Sequence, residues 1–155
     1  TLPGMPMLYT GQEVGFNHPF EFFERDSIMP DYTANEQTAF YEILNSLKHH
    51  NRALDARQPL AATNFIESEN PDVLSFTRQT GKHKVMVIAN LSDQTARLHF
   101  QRREPYLVGM VNLFTGHKAA LPKTLAPWQY IVFTTPDEGI VIPDAGQTRK
   151  EDLVW

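Results

Sequence analysis

Apolar and polar positions change their rhythm twice along this chain. Residues 5–9, Met-Pro-Met-Leu-Tyr, are nearly all apolar and lie between Pro3-Gly4 and Gly11, the pattern of a short strand buried on both faces as in parallel sheets. Residues 15–32 show no clean period, carry Phe16, Phe20, Phe22 and Phe23, and are punctuated by Pro19 and Pro30; a long irregular connection anchored by aromatic rings is expected there. Helical spacing follows, with Phe40, Ile43, Leu44 and Leu47 at i, i+3, i+4 and i+7 on one apolar face. Thr33 and Glu36 have the spacing of a capping box at its start. Lys48, His49 and His50 load its last turn with groups that suit the negative end of the helix dipole, and the helix is expected to fade over residues 51–54.

After Pro59 the period becomes alternating, which marks a second unit. Residues 73–78, 84–91, 95–100, 106–114 and 125–134 read as strands rich in Val, Ile, Phe and Tyr. Turn chemistry separates them at Asn70-Pro71-Asp72, Thr80-Gly81-Lys82, Ser92-Asp93-Gln94 and Thr115-Gly116-His117. Several short strands so separated predict an antiparallel sandwich or barrel. Arg97, His99 and Gln101 alternate with Leu98 and Phe100, so that strand has one wet face, whereas residues 85–89 are apolar almost throughout and belong in the centre. Ile140-Val141-Ile142 and the charged end beyond are expected to form either a short added strand or a poorly ordered terminus. The parallel neighbours of residues 5–9 need crossover connections of a dozen residues or more, so the sheet of that first strand is expected to lie outside this sequence.

Composition narrows the classes. The chain has 155 residues, 41% hydrophobic and 21% charged, enough for a real core. Net charge is -4 with Lys and Arg scattered, and Arg102-Arg103 reads as a solvated strand end, so nucleic acid is not an expected partner. No apolar run approaches the roughly 20 residues that span a bilayer, and no membrane partner is expected. There are no cysteines, which removes disulfides, thiolate metal sites and thiol nucleophiles together and fits any redox compartment.

Candidate chemistry is sparse. Glu13, Glu21, Glu24 and Asp26 follow the first strand's C-terminal end, where a (β/α)8 barrel carries its active site and where glycoside hydrolysis needs two carboxylates. The alternative is that Glu13 accepts loop amides and the others lie on a solvated surface beside Arg25. His49-His50 is the one adjacent histidine pair, and neighbours on a helix point roughly 100° apart, which suits a helix end better than a shared metal. His18, His83, His99 and His117 stand singly, so no metal site is expected. Ser27, Ser46, Ser68, Ser75 and Ser92 lack a G-x-S-x-G context, and Ser46 and Ser75 are expected on exposed faces. Gly4, Gly11 and Gly15 match no phosphate loop. Asn90-Leu91-Ser92 fits a glycosylation acceptor and reads first as a strand leaving into a turn. The loop phenylalanines, with Trp128 and Tyr130 alternating on one strand, suit either packing or stacking on sugar faces.

These pieces together resemble one family. Residues 2–15, "LPGMPMLYTGQEVG", resemble the "LPGxPxxYxGxExG" segment at the eighth barrel strand of the α-amylase family of glycoside hydrolases. "YEILNSLKHHNRAL" at residues 41–54 resembles the last barrel helix with its "LxxLRxxxPAL" ending, with Lys48 and Arg52 where arginine and proline are usual. "NPDVLSFTRQ", "VMVIANLSD", "NLFTG" and "LAPWQYIVF" resemble successive strands of the C-terminal β-sandwich. The resemblance covers residues 1–135 and rests on the order and spacing of these segments rather than on any one of them.

The resemblance implies a mainly β fold with one long helix: the last βα unit of a (β/α)8 barrel over residues 1–58, an antiparallel Greek-key β-sandwich over residues 59–137, and an unassigned tail over 138–155. It implies a parent that is a retaining α-glycosidase acting on α-glucans such as starch or maltooligosaccharides, plausibly secreted or periplasmic. The family's three catalytic carboxylates and its calcium ligands come from earlier barrel strands, so no catalytic residue and no cofactor is expected in this stretch, which alone is expected to be inactive. Gln12, Glu13, Phe16 and His18 are the candidates for the rim of the sugar cleft. The expected partners are the upstream barrel of the same polypeptide, an α-glucan, and a second copy of the chain when isolated, since residues 5–9 and the apolar helix face then lack cover. Two alternatives are a noncatalytic carbohydrate-binding or interaction module and an amylase-like subunit without the chemistry.

Overall fold

The computed structural model describes residues 1–17, 19, 33–57, 63–101 and 105–142. His18, the carboxylates Glu21, Glu24 and Asp26, Ser27, the rings Phe20, Phe22 and Phe23, Arg102-Arg103 and the charged end beyond residue 142 lie outside the described residues.

The helix forms where its period predicts, but two residues later than its predicted cap. Helix α1 spans Glu36–His50, and Asn35 rather than Thr33 is its N-cap. Asn35 Oδ1 accepts the amides of Gln37 and Thr38 at 2.9 and 3.2 Å, while Thr38 Oγ1 accepts the Asn35 amide at 3.1 Å. Asn is among the strongest N-caps, and its amide here donates a further bond to the Val14 carbonyl at 2.9 Å. At the other end Asn51 is buried and joins three elements. Its Nδ2 donates to Thr134 Oγ1 at 3.0 Å and its Oδ1 accepts the Ala53 amide at 2.9 Å, which starts the 3-10 turn Arg52–Leu54.

Seven strands follow among the described residues: β1 (Thr63–Phe65), β2 (Val73–Thr80), β3 (His83–Asn90), β4 (Ala96–Arg97), β5 (Val111–Asn112), β6 (Thr124–Leu125) and β7 (Tyr130–Thr134). One sheet has the order β1-β2-β3-β7-β5 and the other pairs β4 with β6, every pairing being antiparallel. Thr80 faces His83 across a two-residue turn. Gly81 takes a φ of +57° there, the left-handed region that such hairpins require and glycine enters without penalty.

Alternation along the large sheet separates two cores. Val73, Met86, Ile88, Ile131 and Phe133 point to one face and pack with Ala96, Phe100, Met110 and Leu125 beneath the small sheet. Phe76, Val85, Val87 and Val132 point to the other and pack with Leu47, Leu54, Leu113 and Ile140 beneath the helix. Strand β3 is central and covered on both sides, which is why residues 85–89 carry no polar stripe. Phe40, Phe114 and Tyr130 add a ring cluster over the helix side, with centroids 5.5 to 5.9 Å apart.

Several expectations need correction. Residues 5–9 form no strand and are exposed, Met5 at 89% and Met7 at 81%; among the described residues no strand pairs with them, and an apolar run without neighbouring strands has no ladder to join. The expected strand over 95–100 is only Ala96–Arg97, because its pairing is divided: β6 takes that dipeptide while Phe100 bridges to Ser68. Residues 106–114 give only β5, since Leu107 to Met110 turn on Gly109 at φ +76°. The run 125–134 is broken by a turn over Ala126 to Gln129, where Pro127 cannot donate to a ladder. Trp128 therefore does not share a strand with Tyr130. Strand β1 was not expected. Ser75 is 2% exposed rather than on an open face, and its hydroxyl donates to the Ile66 carbonyl at 2.5 Å.

Candidate functional site

The loop that carries the proposed rim is built on two left-handed glycines. Gly11 at φ +95° and Gly15 at φ +73° bracket the 3-10 turn Gln12–Val14. A Cβ at Gly11 would lie 2.8 Å from Phe16 Cβ, so glycine is needed there for close approach as well as for φ. Gln12 is exposed, and its Oε1 accepts the Tyr9 amide at 2.8 Å. Glu13 is half-buried, and its Oε2 accepts the Gly11 amide at 3.0 Å. Of the two readings of Glu13, acceptance of loop amides is the one seen. Thr38 Oγ1 donates to the Glu13 carbonyl at 2.8 Å, which ties the turn to the first turn of α1. Phe16 is half-buried with its amide on the Gly11 carbonyl at 2.9 Å, and His18 lies outside the described residues.

Beside this turn runs an open depression of about 310 Å³ lined by Leu8, Thr10, Glu13, Thr38, Tyr41, Glu42 and Asn45. The structure thus places Glu13 and Glu42 on one depression, the second a residue that sequence reasoning did not single out. The lining combines carboxylate, hydroxyl and amide groups with the apolar carbon of Leu8 and Tyr41, a mixture able to hydrogen-bond a polyhydroxyl surface. Among the described residues no three His, Asp or Glu side chains converge as metal ligands, and no helix is long and apolar enough to cross a membrane.

Other candidates fall elsewhere. Trp128 is 58% exposed on a turn with φ +58°, an uncommon conformation for a non-glycine residue, and its amide donates to Ser92 O at 3.0 Å. Tyr130 is half-buried among rings, and burial pushes its phenol up to about 12. Asn90, 1% exposed, donates to the carbonyls of Gln94 and Ala126 at 2.6 and 2.9 Å, so the tripeptide Asn90-Leu91-Ser92 is a strand end entering a turn. His50 Nδ1 lies 2.9 Å from the Ser46 carbonyl at the helix end. His99 pairs with Glu69 and His83 with Asp137, both at 2.8 Å.

A basic cluster escaped the reading of the sequence. Arg78 on β2 is 2% exposed, and its Nη1 donates to the carbonyls of Thr1 and Leu2, both at 3.3 Å. Lys48 Nζ donates to the carbonyls of Gly4 and Leu54. Desolvation lowers the pKa of Lys48, helped by Arg78 and opposed by Asp55, and lowers that of Arg78. The signal available was slight: Arg78 stands at a position that alternation assigns to the same face as Phe76.

Comparison with known proteins adds the following. Residues 63–132 match the family model of the maltogenic amylase C-terminal domain. An α-amylase, MalA, of Haloarcula japonica is 29% identical over 96 residues, which are 61% of this chain and 14% of that protein. The crystal structure of trehalose-6-phosphate hydrolase from Bacillus licheniformis aligns with a TM-score of 0.48 and 18% identity, covering 63% of this chain and 18% of that one. The chain thus spans less than a fifth of either relative.

Proposed function

We propose that this chain carries a C-terminal domain of the α-amylase family of glycoside hydrolases, a reading supported by the family model over residues 63–132 and by the 29% identity to an α-amylase, and that it is the C-terminal part of an enzyme acting on α-glucans such as starch or maltooligosaccharides. In this reading residues 1–58 are the last βα unit of a (β/α)8 barrel and residues 59–137 a Greek-key sandwich. The parent is a retaining glycosidase that works through two carboxylates and a covalent intermediate. Those carboxylates, and any calcium ligands, belong to polypeptide preceding Thr1, and the role of this stretch is structural. Its partner is that upstream barrel, and an isolated chain is expected to cover its apolar segment by pairing with a second copy.

One observation carries the structural role: helix α1 is fastened to the large sheet by a shared core, while the apolar residues 5–9 at its side remain exposed. A helix so fastened transmits the position of the sandwich to whatever covers that apolar segment. Gln12, Glu13, Phe16 and His18 then border the sugar cleft as a rim, with Glu13 held through its own loop amide.

A binding module is favoured by a different observation, the exposed indole of Trp128 on its left-handed turn. Titration of the 155-residue chain with maltoheptaose separates the two. The structural role predicts no saturable heat or chemical-shift change. Saturable binding that disappears in Trp128→Ala establishes the module and overturns a purely structural role.

A further inference from the structure

We propose that Arg78 and Lys48 form an oxyanion site, taking one carboxylate-type ligand where β2 passes the end of helix α1. Arg78 is 2% exposed, and its Nε is buried without a hydrogen-bond partner among the described residues. Among the described residues its guanidinium hydrogen-bonds to two carbonyl oxygens at 3.3 Å, both at the long limit for such bonds. Among the same residues the Lys48 ammonium hydrogen-bonds to carbonyls, those of Gly4 and Leu54. Neither side chain takes part in any ion pair among the described residues, and the neighbouring carboxylate of Asp55 is held by Arg57 at 3.2 Å.

A buried charge without a counter-charge is costly, and a guanidinium presents its Nε and an Nη as a fork that matches two oxygens of a carboxylate, sulfate or phosphate. The vacant donor lies on that fork, and the Lys48 ammonium stands on the Gly4 carbonyl, two residues along from the Leu2 carbonyl that Arg78 meets. The chemistry is therefore that of a bidentate oxyanion with a second cation alongside. Its source is either an Asp or Glu of polypeptide preceding Thr1, which would leave from the same cluster, or a free inorganic anion. The first source rests on the reading given above; the oxyanion chemistry does not.

Thermal unfolding of the 155-residue chain in sodium sulfate and in sodium chloride of equal ionic strength tests the site. Sulfate is expected to raise Tm saturably above the chloride value, by about 3 to 6 °C at ten times its Kd. That increment should vanish in Arg78→Gln and in Lys48→Gln, the second being a half-buried helix residue whose variant is expected to fold. The Arg78 Nε–H resonance should move with the same sulfate dependence. An increment that grows linearly and persists in Lys48→Gln is general salt exclusion and overturns the proposal, as does an unmoved Nε–H resonance. In the full-length gene product, loss of the sulfate increment with the Nε–H already at its bound position supports a carboxylate from the same polypeptide, and a retained increment supports a free anion. Failure of the amylase reading appears separately, as absence of glucan hydrolysis with the sulfate effect intact.

Discussion

Leu47→Ala removes the centre of the contact between helix α1 and the large sheet. Leu47 is 0% exposed and packs with Leu54, Phe76, Val85, Val87, Leu113, Val132 and Ile140, so its side chain is enclosed by the helix end, three strands and the segment after Asp137. Leu→Ala in such sites costs about 2–5 kcal/mol, the transfer of the lost carbons plus the cavity they leave. The site can collapse on one side, toward Ile140, which lies outside the strand ladders, but not toward the hydrogen-bonded sheet, which places the cost near ~3 kcal/mol. For a chain of this length that is a fall in Tm of about 6 to 12 °C. Urea unfolding followed by circular dichroism is the direct assay, with Asn45→Ala on the exposed side of α1 as the control expected within about 0.5 kcal/mol of the parent. The midpoint should fall with an unchanged slope. A loss under about 0.5 kcal/mol for Leu47→Ala, or a helix that melts before the sheet, would refute the fastened-helix account.

Three further outcomes follow from the same geometry. Tyr130 is raised from 10.0 to about 12 by burial, so the folded chain keeps a proton that the unfolded chain loses above pH 10. Stability should hold up to pH 10 and fall between pH 10 and about 12, and Tyr130→Phe should remove that fall; phenolate absorbance showing this tyrosine ionising near pH 10 would contradict the burial argument. Asn35→Ala deletes the helix cap and its bond to Val14, with an expected cost of about 1 to 2 kcal/mol by urea unfolding. Ser46→Ala breaks the hydroxyl's bonds to the Gly139 carbonyl at 2.9 Å and the Val141 amide at 2.8 Å. About 1 kcal/mol of local protection should go, read as roughly fivefold faster hydrogen exchange at Val141; unchanged exchange would show that Ser46 does not hold that segment.

What the sequence made legible was whatever has a period. The face of Phe40, Ile43, Leu44 and Leu47 specified α1, and the apolar run at 85–89 specified a central strand, because both patterns record which side is covered. Cap position was missed because Thr33 and Asn35 both carry the right oxygen, and the choice was made by a carbonyl of Val14, far away along the chain. Strand ends were overdrawn at 95–100 and 125–134 because propensity does not say which partner each residue pairs with. The strand at residues 5–9 was read from hydrophobicity alone, and among the described residues no strand supplies it with a ladder. Ser75 was placed outside because a hydroxyl satisfied by the Ile66 carbonyl looks polar in sequence and costs little in the core. Arg78 was passed over for a similar reason: its burial depends on the carbonyls of Thr1 and Leu2, which no local pattern brings to β2.

The central proposal is that this stretch belongs to a glucan-acting parent whose catalytic carboxylates lie elsewhere in the polypeptide. Release of reducing ends from maltooligosaccharide, measured for the full-length gene product and for the 155-residue chain side by side, tests it most directly. The account predicts turnover by the full-length product and none by the isolated chain. Turnover by the isolated chain, or none by the full-length product, would contradict it.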